Sequence, residues 1–218
     1  MMSRVAIFVD YQNVYRRARD VFAAPNSRSL EGQVDPVRLA HLLVKRGRAI
    51  DSTRELSAIS IFRGVPSKKY APVGFAASQR QGAAWSAASS VTVTTRPLRY
   101  LRVDNADGSV TWTGREKGID VLLALAIALG AERDDYDVCI LCSADTDLLP
   151  ALEHARLMGK VVEVSGWKPE HGYVNRLHLD RLWCHWLDRQ DFNTVADRTD
   201  YTRPRSPRDR DHPDLPAT

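Results

Sequence analysis

The chain opens on a nearly continuous apolar run, Arg4–Asp10 (RVAIFVD), that stops at an acid. A run apolar at both odd and even positions has no polar face to turn to water. It reads as a strand buried on both sides of a parallel sheet. Tyr136–Ser143 (YDVCILCS) has the same character, and Leu56–Arg63 and Val161–Trp167 are further strands. Val91–Arg102 (VTVTTRPLRYLR) is strand-like but broken at Pro97, which has no N–H for a ladder. Asp104–Gly108 (DNADG) is a turn signal, and Ser109–Thr113 is the returning arm of a hairpin.

Helical segments alternate with these strands. They are predicted over Tyr11–Ala24, Asp35–Arg48, Ser67–Ala88, Gly118–Gly130, Thr146–Met158 and Tyr173–Leu187. The second has Asp35 as a cap, Pro36 at its first position and Gly47 near its end. Gly118–Gly130 is apolar on every side except Asp120 and reads as a helix packed between layers. Alternating strands and helices predict an α/β fold, a mainly parallel central sheet with helices on both faces. After Arg189 the chain is polar and ends in YTRPRSPRDRDHPDLPAT. The expected organisation is one domain over 1–188 and a disordered polar tail over 189–218.

Composition narrows the class. The 218 residues are 44% hydrophobic and 27% charged, enough for one sizeable core. No apolar run approaches the roughly 18 residues of a membrane span. The N-terminus MMSRVAIFVDYQN lacks a secretory apolar region, so the expectation is a cytoplasmic protein without a membrane partner. Cys139, Cys142 and Cys184 are too few for a disulfide framework. Cys139 and Cys142 form a C-x-x-C on a strand, where they face opposite sides, so they read as buried thiols rather than zinc ligands. His178 and His185 share a face of the last predicted helix and read as packing beside Trp183 and Trp186.

The net charge of +4 conceals an asymmetry. Residues 1–100 carry 16 Lys and Arg against 6 Asp and Glu, and residues 101–150 carry 4 against 10. A basic half beside an acidic stretch points to an anionic partner and a cluster of carboxylates in one molecule.

The carboxylates fall at strand ends, where open α/β sheets place their sites. Asp10 ends the first strand, Asp145 and Asp147 follow the strand YDVCILCS, and Asp120 opens the most apolar helix. Acids against apolar surroundings are costly unless paired or bound to a cation, and oxygen ligands suit Mg²⁺ or Mn²⁺. Local roles compete: Asp147 as a helix cap and Asp120 as a first-turn acid. Asp10 has no clear helix start signal at the residue after it.

Here the sequence resembles a known family. IFVDYQN (Ile7–Asn13), EKGIDVLLALAIAL (Glu116–Leu129) and DVCILCSADTDLLPALEHARLMGKVVEV (Asp137–Val164) are similar to the three motifs of NYN domains of the LabA-like type, a branch of the PIN-like nucleases. The resemblance spans about Val5–Trp167 and implies a three-layer, Rossmann-like fold. It departs at Ala144, Thr146 and Leu148, where the family often has glycine or an aromatic. Carried over, it makes Asp10, Asp120, Asp145 and Asp147 the acidic metal-binding and catalytic set, with Asn13 as a further catalytic residue and Lys117 and Ser143 at accompanying polar positions that would contact the nucleic acid. The implied activity is a Mg²⁺- or Mn²⁺-dependent ribonuclease, an endonuclease using two metal ions. Its partner would be single-stranded or structured RNA, with a protein regulator as a further candidate partner. Arg16, Arg17, Lys68, Lys69, Arg96, Arg99 and Arg102 would bind the strand, Tyr100 lying among them.

Two alternatives stand beside this reading. A phosphatase that phosphorylates an Asp after strand one needs a second Asp two residues on, where Gln12 stands. A non-catalytic RNA-binding module would keep the same acids without cleavage.

Overall fold

The computed structural model describes residues 2–171, 177 and 182–204. The elements run β1 (Ser3–Asp10), α1 (Tyr11–Phe22), α2 (Pro36–Gly47), β2 (Arg54–Val65), α3 (Pro72–Trp85), β3 (Val91–Pro97), β4 (Arg99–Asp104) and β5 (Val110–Arg115). They continue with α4 (Ile119–Glu132), β6 (Val138–Cys142), α5 (Leu149–Leu157), β7 (Val161–Trp167), β8 (Trp183–Leu187) and α6 (Arg189–Val195). Among the described residues, six strands form one sheet in the order β3-β2-β1-β6-β7-β8, and every pairing in it is parallel. β4 and β5 pair antiparallel as a separate hairpin.

The alternation of side chains along the doubly buried strands sends them into two cores. Val5, Ile7 and Val9 of β1 face α1 and α2, together with Ile140 and Cys142 of β6. Ala6 and Phe8 face α4 and α5, together with Cys139 and Leu141. Three layers result, helices on both sides of the sheet. The two cysteines lie in different cores, and burial pushes the Cys142 thiol up to about 12 and the Cys139 thiol higher still. Among the described residues no helix is long and apolar enough to cross a membrane.

α2 begins as its sequence predicts. Pro36 occupies the first turn, and the Asp35 carboxylate accepts from the N–H of Val37 at 2.9 Å and of Arg38 at 3.1 Å. The strand predicted over Val91–Arg102 divides at Pro97, as proline requires: β3 ends there and the hairpin strand β4 begins at Arg99.

Three expectations are corrected. First, α4 is not enclosed on all sides. Val121, Leu125 and Leu129, spaced one turn apart, are 56%, 49% and 39% exposed, because α4 is an outer-layer helix. Second, the end of the segment predicted as a helix over Tyr173–Leu187 is a strand. β8 pairs with β7 from Glu163↔Trp183 to Trp167↔Leu187. His185 and Leu187 point inward from it, and β7 supplies the ladder bonds that local periodicity does not reveal. The rest of that segment, including His178, lies outside the described residues apart from Leu177 and Leu182.

Third, the polar tail does not start at Arg189. Asp188 and Asp191 form a reciprocal capping box with bonds of 3.0 and 2.9 Å that starts α6. Phe192 of α6 stacks on Phe22 at 4.8 Å and meets Trp167 edge-on at 5.7 Å, so the helix completes the α1–α2 core. Beyond it, the Asp197 N–H donates to Gln33 at 2.9 Å and the Tyr201 carbonyl accepts from Arg80 at 2.8 Å. Residues 205–218 lie outside the described residues.

Candidate active site

Strand order decides where a site can form. From β1 the chain steps outward through β2 to β3, then returns to β1's other side with β6 and steps outward through β7 to β8. The order therefore reverses between β1 and β6. In open α/β sheets, the crevice beyond the carboxyl ends at such a reversal is the usual site for ligands. The last register pair there is Val9↔Cys142, which places Asp10 and Ser143 side by side just beyond it.

The backbone at this edge is tied by side chains. Asp10 ends β1 and caps α1, its Oδ1 accepting from the Asn13 N–H at 3.1 Å, so the helix does start at the next residue. The Ser143 hydroxyl donates to Asp10 Oδ2 at 3.1 Å and accepts from the Asp145 N–H at 3.1 Å. Asn13 Oδ1 accepts from the Ala144 N–H at 3.2 Å. Asp145 in turn caps the short 3₁₀ turn Thr146–Leu148, accepting from the Asp147 N–H at 3.0 Å. The cap at this turn is thus Asp145, not Asp147.

A polar cleft of about 320 Å³ opens above this network, lined by acids Asp10, Asp20, Glu116 and Asp145 and by Arg16 and Arg17. Within the cleft, the Asp10 carboxyl is largely withdrawn from water. Burial raises its carboxyl to about 6; the bonds from Asn13 and Ser143 pull it down, and the Glu116 and Asp145 carboxylates push it up. Among the described residues no ion pair reaches Asp10, Glu116 or Asp145.

Glu116 did not stand out in the sequence, although it begins the EKGID stretch. It follows the hairpin strand β5 and reaches back to the sheet, where its carboxylate accepts from the Gly64 N–H. A Cβ at Gly64 would lie 2.7 Å from Glu116 Oε1, so the close approach needs glycine.

The remaining expected residues divide by place. Asp120 is an exposed first-turn acid of α4, and Asp147 is exposed on the 3₁₀ turn against which α4 packs. Neither lines the cleft. Among the described residues no three acids are already gathered as a metal-binding group. Ser143 is only 4% exposed and both of its hydroxyl contacts are internal. The hydroxyl thus ties Asp10 to the Asp145 loop.

Arg16 and Arg17 stand exposed on α1 at the cleft, and Lys117 is exposed just after Glu116. Lys68, Lys69, Arg96 and Arg99 are exposed on and before the β3–β5 region. Arg102 is exposed but tied to Asp104 at 2.8 Å. Beside these cations Tyr70 stacks on Tyr100 at 4.6 Å and meets Trp112 in a tilted contact at 4.7 Å, with Lys69 over the Tyr70 ring.

Comparison with known proteins gives a family. The family model for the NYN domain matches residues 4–177. A crystal structure of a protein of unknown function from Vibrio parahaemolyticus is 22% identical, over 76% of this chain and 82% of that chain, with a TM-score of 0.47. None of the curated proteins matches.

Proposed function

The chain belongs to the NYN domain family, a PIN-like nuclease family, and on that premise we propose that it is a divalent-metal-dependent ribonuclease acting at the Asp10 cleft. The observation that carries this reading is the placing of Asp10. A desolvated carboxyl shares the cleft at the sheet's reversal point with Glu116 and Asp145, and among the described residues none of the three is in an ion pair. Such a donor set is made only of hard oxygens, the ligands Mg²⁺ and Mn²⁺ take.

Asp10, Glu116 and Asp145 would hold the metal, with Asp120 and Asp147 on the neighbouring turns as the outer acids of a four-Asp site. Two divalent ions bound there would supply an activated water and charge neutralisation at the leaving 3′-oxygen. The chain's own residues do the rest. Ser143 keeps Asp10 turned toward the cleft, and Asn13 fixes the loop that carries Asp145. Arg16, Arg17 and Lys117 offer donors to the phosphates on either side. Lys68, Lys69, Arg96 and Arg99 extend the cationic track along which an RNA strand lies.

The test is incubation of labelled single-stranded and structured RNA with the protein and Mg²⁺ or Mn²⁺. Cleavage that both EDTA and the Asp10→Asn/Asp145→Asn double substitution abolish supports the proposal. Equal cleavage by wild type and double variant removes it. RNA binding with no cleavage under any metal favours the non-catalytic module.

A further inference from the structure

Beside the acidic cleft lies a second cavity of about 90 Å³ that the proposed chemistry does not use. It opens between α1 and the carboxyl ends of β6 and β7. Its character is the opposite of the cleft's. Val14, Leu39 and Trp167 form its walls, and all three are nearly fully buried. The indole of Trp167 is fixed, its Nε1 donating to the Val14 carbonyl at 3.1 Å and its ring wedged edge-on against Phe22 at 5.6 Å. Ser165 brings a hydroxyl to the lining.

The two cavities are contiguous, since Asn13 and Arg17 line both. Arg17 makes no hydrogen bond or ion pair among the described residues, so a free guanidinium stands where the apolar slot meets the acidic cleft. A mostly apolar slot with a few polar groups, joined to a larger polar cleft at the Arg17 side chain, has the chemistry of a nucleotide site: a flat base, then a phosphate.

We propose that this slot is a nucleobase subsite, holding the base of the nucleotide next to the scissile phosphate, and that it favours pyrimidines. The inference rests on the ribonuclease reading and adds a sequence preference to it. The enclosed volume is smaller than the roughly 150 Å³ of an engineered apolar cavity that takes up benzene. A whole ring is therefore not enclosed: a single six-membered ring can enter part-way through the open mouth, whereas the fused rings of a purine overfill the slot. Ser165, whose side chain is hydrogen-bonded to Cys142, and the Nδ2 of Asn13, whose Oδ1 is held by the Ala144 N–H, are the polar groups of the lining nearest in kind to a base edge. Arg17 takes the adjoining phosphate.

Binding of fluorescent oligo-U, oligo-C and oligo-A, measured by anisotropy in EDTA, tests the idea without relying on catalysis. The wild type is expected to bind the pyrimidine oligomers about fivefold or more tightly than oligo-A, the low end of what one stacked base contributes. Ser165→Val, which fills the slot with a strand-favouring side chain, should bring that ratio toward one. Equal binding of all three oligomers by the wild type, or a preference that survives Ser165→Val, overturns the inference. Independently of any variant, photo-crosslinking of 4-thiouridine RNA to the wild type should place adducts on Trp167 or its slot neighbours. Adducts confined to the β4–β5 hairpin overturn it. Metal-dependent cleavage with no base preference removes this inference and leaves the ribonuclease proposal standing. A protein that neither binds nor cleaves RNA removes both.

Discussion

The hydroxyl of Ser143 donates to Asp10 at 3.1 Å and accepts from the Asp145 N–H at the same distance, so one buried oxygen joins the acid of β1 to the acid loop after β6. Removing it leaves the Asp145 N–H without its partner and takes a donor from Asp10. Ser143→Ala is expected to destabilise the fold by about 1–2 kcal/mol, the cost of losing such bonds in a half-buried network. RNA cleavage should fall by more than folding alone explains. Ser143→Thr, which keeps the hydroxyl, should recover most of it. Urea unfolding and a metal-titrated cleavage assay check the two parts.

Asp10 makes stability depend on pH in metal-free buffer. Its folded carboxyl sits near 6 against 3.8 in the unfolded chain, so between those values the folded state holds a proton the unfolded state has lost. Stability from this group is therefore complete below about pH 4 and is lost as pH rises through 6. The loss is of the order of 3 kcal/mol. Asp10→Asn, which carries no charge to desolvate, should not show it. Denaturation of both proteins in EDTA from pH 4 to 8 should give curves that diverge with the wild type falling. Parallel curves would contradict the desolvation of Asp10.

At the opposite end of the sheet Arg54 meets Glu163 through two bonds of 2.9 and 2.7 Å, and His185 adds a third at 2.7 Å to the same carboxylate. All three side chains are buried, and the bonds from His185 and Arg54 hold the Glu163 carboxyl below its usual range against the pull of burial. Truncating one member strands the others. Glu163→Ala is expected to cost about 3–5 kcal/mol. The apolar replacement Arg54→Met with Glu163→Leu should recover much of that loss. Chemical denaturation of the single and double variants decides it.

The basic residues near the hairpin are distinguishable by salt. Neutralising Lys68, Lys69, Arg96 or Arg99 singly should weaken RNA binding and lower the slope of log affinity against log salt by about 0.7 each, the value for a single-strand phosphate contact. Arg102→Gln should change the slope less, because its guanidinium is already engaged by Asp104. Anisotropy titrations over a range of potassium chloride concentrations measure both.

Much of this was legible in the chain. RVAIFVD and YDVCILCS can be buried only on both faces, so they became the central strands, and the acids that close them fell at the carboxyl edge of the sheet. Pro97 was enough to break the β3 strand from the hairpin. Periods of two and 3.6 are local properties, and side-chain sterics enforce them without reference to the rest of the fold.

Other features depended on partners distant in sequence. Five residues, WCHWL, carry too little periodicity to choose between helix and strand, and the free edge of β7 chose for them. α6 was hidden in a polar stretch whose Phe192 and Val195 acquire a core only when Phe22 and Trp167 are in place. Which acids share the cleft was likewise a tertiary matter. Gly118, at φ 75°, turns the chain between Glu116 and Asp120, so Glu116 folds back to Gly64 while Asp120 leaves on the outer helix. The sequence by itself determined that acids would end the central strands. Only the folded sheet, by reversing its strand order between β1 and β6, decided which of them stand together and away from water.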